Sequence, residues 1–219
     1  MMLTEMPQRK LWQKKRQQNS RYKGAPFKYM DDKKRLILHI CCAPDATVPA
    51  DLLLDEGYRT GGFFYGGNIH PEEEFQKRAA AVAFLCQTKG IGCHVMPYDP
   101  EKWIGETKAF ASEPEGGKRC LLCFELQLKA AAEYAVRCGA GSLTTTLTIS
   151  PHKDPSAING IGEKICSEHG LVWISKIWRK NNGFKRSVDE SRKLGLYRQD
   201  YCGCIFSHEA RKRDKGEQE

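Results

Sequence analysis

The stretch RLILHICCAPDAT, residues 35–47, decides how this chain folds. Its first seven residues form a short apolar run, which predicts a buried strand. A helix is predicted over residues 47–56, with Asp45 near its start and Gly57 after its end. The strand therefore leads straight into two adjacent cysteines, Cys41 and Cys42, before the helix begins.

The rest of the chain alternates between strand and helix patterns. Further strands are predicted over residues 60–65, 93–98, 143–149 and 171–175, and further helices over residues 71–89, 101–110, 119–137, 154–169 and 187–194. This alternation predicts an α/β fold, with a parallel sheet flanked by helices. Ligands of such sheets bind at the carboxyl ends of the strands, so Cys41 and Cys42 are predicted to lie at the active edge.

Length and composition divide the chain into three regions. The 219 residues suit one compact domain, which we place at residues 31–209 as a single α/β catalytic domain. Residues 1–30 are polar and basic and are predicted to form a flexible arm. Residues 210–219 are predicted to form a disordered charged tail.

The positive charge is concentrated in two blocks. Residues 1–30 carry eight basic residues and one acid, and residues 176–198 carry eight basic residues and two acids, in a chain of net charge +8. Two basic blocks on an otherwise acidic body indicate a polyanionic partner such as a nucleic acid. A solvated surface explains the arm equally well.

Cysteine content and the absence of long apolar runs indicate the compartment. No run is long enough to cross a bilayer, and residues 1–24 lack the apolar region of a secretory signal. We therefore expect a cytoplasmic protein that makes no membrane contact. Ten cysteines in a reducing compartment favour metal binding or redox chemistry over disulfides.

Six of the ten cysteines form three close pairs. The pairs are Cys41 with Cys42, Cys120 with Cys123, and Cys202 with Cys204. Thiolates suit iron–sulfur clusters, zinc or copper, and six of them exceed the ligands that one four-coordinate centre needs. Four can hold a [4Fe–4S] cluster, and Asp45 offers an oxygen ligand for a second metal beside the other two. A structural zinc site with two spare thiols is left open by the spacing.

The remaining cysteines and two polar segments have more ordinary interpretations. Four cysteines are predicted to be small core residues, namely Cys86, Cys93, Cys138 and Cys166.

No phosphate-binding loop or dinucleotide fingerprint occurs. Residues 144–153 end in His152 and Lys153, which suit phosphate or base contacts but also an ordinary loop after a strand. Four aromatic residues in or after the second basic block suit base stacking or a small hydrophobic cluster: Trp178, Phe184, Tyr197 and Tyr201.

Five separated motifs resemble one known family. They are HICCAPDAT at residues 39–47, FFYGGNIHPEEEF at residues 63–75, EPEGGKRCLLCFELQL at residues 113–128, TTTLTISPHK at residues 144–153 and LYRQDYCGCIFS at residues 196–207. Together they resemble the cobalamin-independent epoxyqueuosine reductases of the QueH type. The likeness runs from about residue 35 to residue 208 and leaves the basic arm outside it.

The resemblance carries expectations about fold, reaction and ligands. It implies an α/β fold similar to the HUP group, which is adenine nucleotide α-hydrolase-like. It implies reduction of epoxyqueuosine to queuosine at the wobble position of a tRNA, with electrons from an external donor. It further implies a [4Fe–4S] cluster held by Cys41, Cys42, Cys120 and Cys123, and a separate iron ion held by Cys202, Cys204 and Asp45. Many relatives carry a cysteine where this chain has Asp45, so the second ligand set departs from the family pattern here.

Catalytic roles and two competing functions complete the expectations. Asp45 is predicted to tune the second iron, and His39, His152 and Tyr201 are the candidate proton donors. An ATP-dependent tRNA-modifying enzyme on a similar fold is disfavoured, because Cys-Cys-Ala-Pro-Asp follows the first strand where its phosphate loop should be. A zinc-stabilised RNA-binding module without catalysis is the other alternative. The sequence carries no signature of the oligomeric state.

Overall fold

Five parallel strands form one sheet in residues 32–214, the part of the chain that the computed structural model describes. The strands are β1 (Arg35–His39), β2 (Arg59–Phe64), β3 (Gly92–Val95), β4 (Ser142–Thr145) and β5 (Val172–Trp173). Their order across the sheet is β3-β2-β1-β4-β5, and every neighbouring pair is parallel. The predicted parallel α/β sheet is confirmed. The basic arm predicted at residues 1–30 lies outside the described residues.

Helices connect the strands and cover both faces of the sheet. They are α1 (Ala43–Asp55), α2 (Glu72–Lys89), α3 (Pro100–Thr107), α4 (Lys118–Arg137), α5 (Pro155–Glu168), α6 (Gly183–Lys193) and α7 (Ile205–Asp214). Their ends follow ordinary capping chemistry. The Asp154 carboxylate accepts a hydrogen bond from the Ser156 N–H (2.8 Å) at the start of α5. Gly90, at φ 68°, ends α2 in the left-handed conformation that glycine tolerates best. Among residues 32–214, no helix combines the length and apolar character that crossing a bilayer requires.

The strand β1 lies at the centre of the core because both of its faces are buried. Leu36, Leu38 and Ile40 belong to the hydrophobic cluster that α1 and α2 cover. Ile37 points to the opposite face and belongs to the cluster that α4 and α5 cover. Alternate residues of a strand point to opposite faces. A strand buried on both sides therefore reads as the continuous apolar run seen in the sequence.

The direction of chain progression reverses between β1 and β4. The chain moves outward from β1 to β2 and β3, and then returns to place β4 on the other side of β1. Connections on the two sides of such a reversal diverge and leave a crevice at the carboxyl ends of the strands. Residues 40–42 follow β1 and residues 146–153 follow β4, so both predicted segments open into this crevice.

The fourth strand is shorter than predicted. A strand was expected over residues 143–149, but β4 ends at Thr145 and a short 3₁₀ turn covers Leu147–Ile149. The reason is local: the Thr145 hydroxyl accepts a hydrogen bond from the Leu147 backbone N–H (3.1 Å). A threonine side chain that bonds the backbone in this way competes with the strand ladder.

The predicted disordered tail begins too early. Residues 205–214 form α7, so residues 210–214 are helical, and residues 215–219 lie outside the described range. The helix is held by tertiary contacts. The Phe206 ring lies 6.1 Å from the Trp103 ring, and the Arg119 guanidinium lies 4.6 Å from the Phe206 ring centroid. The Arg211 guanidinium donates to the Asp200 backbone oxygen (2.9 Å). Such contacts leave little periodic signal in a polar sequence.

Two glycines of α5 provide a matched test of how this helix packs. A Cβ at Gly162 would lie 2.4 Å from the nearest ring carbons of Trp173, whereas a Cβ at Gly160 would meet no atom within 4 Å. Gly162→Ala is therefore expected to lower the free energy of unfolding by about 1–3 kcal/mol. Gly160→Ala is expected to raise it by about 0.5–1 kcal/mol, because alanine favours a helix interior. Urea denaturation followed by circular dichroism measures both, and equal effects would contradict the packing of α5 on β5.

Candidate metal centre

A cleft of about 880 Å³ opens at the carboxyl ends of β1 and β4. Five of the six paired cysteines line it, namely Cys41, Cys120, Cys123, Cys202 and Cys204. The sixth, Cys42, is buried just below, within the group of donor atoms that Cys41 and Asp45 complete. All ten cysteines of the chain lie within the described residues, and none is in a disulfide. Three distant stretches of sequence thus contribute thiols to one cleft. Among the described residues, only Cys41, Cys42 and Asp45 have donor atoms close enough together to share one metal ion.

The first group of ligands comprises Cys41, Cys42 and Asp45. One donor atom from each lies within 4.8 Å of the other two. Cys42 is the N-cap of α1, so the group lies at the positive end of a helix, which favours thiolate and carboxylate charge. The Cys41 thiol donates to the Asp45 carboxylate (3.4 Å) and accepts from the Thr146 hydroxyl (3.2 Å).

Burial raises the pKa of the Cys42 thiol well above its ordinary value, and hydrogen bonding to Cys41 and the charge of Asp45 raise this pKa further. Acidic groups this close lose their protons together only when a cation compensates the negative charge. The donor set therefore fits a metal ion.

The second pair, Cys120 and Cys123, lies near the start of α4. The Cys120 sulfur accepts a hydrogen bond from the Gly116 backbone N–H (3.2 Å). The Cys123 sulfur accepts from the indole N–H of Trp103 (3.3 Å) and from the side-chain amide of Gln127 (3.1 Å). Burial raises the pKa of Cys123, and these two N–H donors act in the opposite direction. N–H groups aimed at sulfur are the contacts that stabilise and tune cluster-bound thiolates.

The third pair, Cys202 and Cys204, lies on an irregular segment before α7. The Cys204 sulfur accepts a hydrogen bond from the Ser207 backbone N–H (3.4 Å). Burial, followed by the charge of Cys202, raises the pKa of Cys204 to about 11. The charge of Cys202 also raises the pKa of Cys120 and of Cys123, although burial raises both more strongly. The second and third pairs line the same cleft.

The predicted catalytic residues occupy different surroundings. Asp45, His152 and Tyr201 all line the cleft, and His152 is exposed. The hydroxyl of Tyr201 donates to the His70 backbone oxygen, and burial raises its pKa. The imidazole of His39 is fully buried against the Thr145 hydroxyl (2.8 Å). Burial lowers the pKa of His39 to about 3, so its ring is neutral at physiological pH and is a poor proton donor.

Several residues of the site were not singled out by sequence reasoning. Trp103 and Gln127 donate to Cys123, and Arg119 is buried and lines the cleft. Lys153, by contrast, was suggested by the sequence for phosphate or base contacts. Burial acts to lower its pKa, but the charges of Cys202, Cys41, Asp45 and Cys42 outweigh burial and raise this pKa. Lys153 therefore keeps its positive charge beside the thiols. Arg119 and Gln127 belong to the same motif as the second cysteine pair, but their roles arise only from contacts across the fold.

Comparison with known proteins identifies the family. A family model described as "Epoxyqueuosine reductase QueH" matches residues 36–210. The chain belongs to the QueH family of epoxyqueuosine reductases. The Haemophilus influenzae QueH is 34% identical over 178 residues, which cover 81% of this chain and 73% of that protein. The Thermotoga maritima QueH is 35% identical over 175 residues, which cover 78% of this chain and 89% of that protein.

Family membership confirms that the chain is an oxidoreductase, an epoxyqueuosine reductase. The ATP-dependent and zinc-module alternatives are not favoured.

Solved structures similar to this chain include the U34-tRNA thiolase NcsA from Methanococcus maripaludis with its [4Fe-4S] cluster. Its TM-score is 0.47 and its sequence identity is 12%, and the alignment covers 85% of this chain and 67% of the thiolase chain. The NMN synthetase from Francisella tularensis has a TM-score of 0.40 and 11% identity, and covers 85% of this chain and 87% of that chain.

The first ligand group can be tested with a spectroscopic metal. Cys42→Ser in the metal-free, reduced protein is expected to weaken Co²⁺ binding at least about tenfold, because it removes one donor of a compact group. Sulfur-to-cobalt charge-transfer absorption during a Co²⁺ titration measures this affinity. Cys138→Ser is the control. Cys138 was predicted to be a core residue, but this prediction was wrong, as it was for Cys93: both are exposed, and Cys138 lies at the far end of α4. Equal affinities for the two variants would show that Cys42 is not a ligand.

Proposed function

We propose that this chain reduces epoxyqueuosine in the anticodon of a tRNA to queuosine, in the cytoplasm, with a [4Fe–4S] cluster and an adjacent iron ion. The observation that supports this proposal is the gathering of six thiols and one carboxylate around a single cleft at the strand-order reversal. Seven soft and hard donors are more than one four-coordinate centre uses. They suit a cluster together with a second, separate metal ion.

The proposed division of ligands follows the family resemblance rather than the grouping of donor atoms, which places Asp45 beside Cys41 and Cys42. Cys41, Cys42, Cys120 and Cys123 would hold the cluster, and Cys202, Cys204 and Asp45 would hold the iron ion. When bound, the cluster would supply electrons one at a time and the iron would supply a Lewis acid for the epoxide oxygen. Removal of that oxygen takes two electrons and two protons, and an external donor must provide the electrons.

The chain's own residues supply charge and protons at the cleft. His152 is exposed and lines the cleft, and we propose it as a proton donor. Lys153 holds a positive charge beside the thiols, which stabilises negative charge that develops on a substrate oxygen. The hydroxyl of Tyr201 is engaged with the His70 backbone oxygen, so its catalytic role stays a prediction.

Substitution of single cysteines tests this division after anaerobic reconstitution with iron and sulfide. Cys120→Ser is expected to lose the visible absorption of the cluster. Cys202→Ser is expected to keep that absorption and its acid-labile sulfide but to lose about one iron per chain. Cys138→Ser serves as the control. Loss of the visible absorption in Cys202→Ser would contradict the division and place that thiol on the cluster.

Recognition of RNA requires exposed groups near the cleft. Three of the four aromatic residues predicted to stack on bases have their polar hydrogens bonded to the protein, although the Tyr197 ring, which does not line the cleft, is 38% exposed. Their polar hydrogens donate to protein oxygens: Trp178 to the Thr145 backbone (2.8 Å), Tyr197 to the Glu74 carboxylate (2.6 Å) and Tyr201 to the His70 backbone. Trp178 is also 5% exposed, so it is a core residue.

Phe184 is the fourth aromatic residue, and it is placed differently. It lines the cleft, is 36% exposed and lies within the second basic block. Arg198, from the same block, also lines the cleft and is exposed. An exposed ring and an exposed cation in one cleft suit an unpaired base and its phosphate. We infer that Phe184 stacks on an unpaired base of the anticodon loop.

Binding of an anticodon stem-loop RNA tests the role of Phe184. Phe184→Ala is expected to raise the Kd by roughly 5- to 150-fold, since stacking on one base contributes about 1–3 kcal/mol. Fluorescence anisotropy at fixed salt concentration measures the Kd. Phe84→Ala is the matched control, because Phe84 is 50% exposed on α2 and does not line the cleft. Equal Kd values for the two variants would exclude Phe184 from the RNA contact.

A further inference from the structure

Two of the six thiols lie on a segment without regular secondary structure. Residues 197–204, here called the cysteine strap, connect α6 to α7 and carry Cys202 and Cys204. The other four thiols are positioned by β1 and by the first turns of α1 and α4. A segment outside helices and strands has no backbone ladder to fix its position, so contacts from elsewhere must do so.

Arg78 supplies the main contacts to the strap. Its side chain is 2% exposed on the inner face of α2. The guanidinium donates to the Cys202 backbone oxygen (2.9 Å) and to the Tyr201 backbone oxygen (3.2 Å). It also lies 5.2 Å from the centroid of the Tyr201 ring. One planar guanidinium therefore holds the first cysteine of the pair and the residue before it.

Glu74 orients this guanidinium. The Nε of Arg78 donates to one oxygen of the Glu74 carboxylate (2.7 Å), and the pair is buried one turn apart on α2. The Tyr197 hydroxyl donates to the other oxygen of Glu74 (2.6 Å), so the start of the strap is tied to the same pair. Buried hydrogen bonds to charged groups are among the stronger contacts in a folded protein.

The far side of the strap is fixed by the loop that precedes α2. The His70 backbone N–H donates to the Gly203 backbone oxygen (2.8 Å), and the Tyr201 hydroxyl donates to the His70 backbone oxygen. Gly203 has φ of +120°, and a Cβ there would lie 2.8 Å from Nη1 of Arg78. Only glycine combines this backbone conformation with so close an approach of the guanidinium.

We propose that Arg78, oriented by Glu74, is a positioning residue that holds Cys202 and Cys204 at the cleft. The competing interpretation is that this buried ion pair contributes only to the stability of the fold. The two differ in what happens when Arg78 is lost. A positioning role frees the strap and leaves the other thiols in place. A purely structural role affects every thiol alike. The relevance of the strap to catalysis rests on the proposed function, whereas the contacts that hold the strap are independent of that function.

Thiol-by-thiol alkylation of the metal-free, reduced full chain separates the two. In Arg78→Met, the alkylation rates of Cys202 and Cys204 by iodoacetamide are expected to rise roughly tenfold, as expected for the loss of hydrogen bonds to a charged group. The rates of Cys120 and Cys123 are expected to stay within about twofold of wild type, because their positions come from α4. Quenched time points analysed by peptide mass spectrometry give each rate separately. Arg78→Lys should fall between Arg78→Met and wild type, because an ammonium replaces only part of the guanidinium fork.

Two further variants keep the test decisive. Glu74→Gln preserves side-chain shape and is expected to raise the same two rates by about twofold, even if Arg78→Met fails to fold. Lys89→Met breaks the ion pair with Asp51 at the other end of α2 and is expected to leave all rates unchanged. A uniform rise that includes the buried Cys86 and Cys166 would overturn the proposal, and so would unchanged rates at Cys202 and Cys204 in both Arg78→Met and Glu74→Gln.

Discussion

The pairing of β1 with β4 is the constraint on which the site depends. These strands are neighbours in the sheet but lie about 100 residues apart in the sequence, and their register pairs His39 with Thr145. Beyond the last pair, the Thr146 N–H donates to the His39 backbone oxygen (2.9 Å), and the Cys41 N–H donates to the Thr146 hydroxyl (3.1 Å). The fourth strand thus fixes the backbone of the first cysteine pair. The crevice beyond this pairing receives the other two pairs from α4 and from the cysteine strap.

Electrostatics explains why cationic side chains surround a site of acidic donors. Thiols packed this closely resist ionisation, and burial raises the pKa of Cys42, Cys123 and Cys204. N–H donors to the sulfurs, together with the positive charge of Lys153, partly offset this effect. A bound metal would offset the rest. Arg119, Lys153 and Arg198 line the same cleft, and cations of this kind suit the polyanionic substrate proposed above.

Much of this arrangement could be predicted from the sequence, because its signals are local. The apolar run of β1 and the alternation of strand and helix patterns predicted elements that the structure contains. The three cysteine pairs predicted where donors would lie, since each pair stands near the end of a strand or the start of a helix. The resemblance to QueH extended this prediction to the reaction.

The parts that could not be predicted depend on contacts between distant residues. The strap is held by Arg78, which lies 124 residues before Cys202, and α7 by aromatic and ionic contacts with Trp103, Arg119 and Asp200. The sequence did carry a weak signal for Arg78. A basic residue on the apolar face of α2, with the acid Glu74 four residues before it, is the spacing of an ion pair on a helix. Composition alone also could not separate the stacking candidate Phe184 from Trp178, since only the fold shows which ring is exposed.

The most direct test of the whole account is metal and acid-labile sulfide analysis of the wild-type protein, purified and reconstituted without oxygen, together with its visible spectrum. The account predicts about five iron atoms and about four sulfides per chain, with broad sulfur-to-iron absorption that fades on reduction. One equivalent of zinc per chain, with no sulfide and no visible absorption, would contradict it.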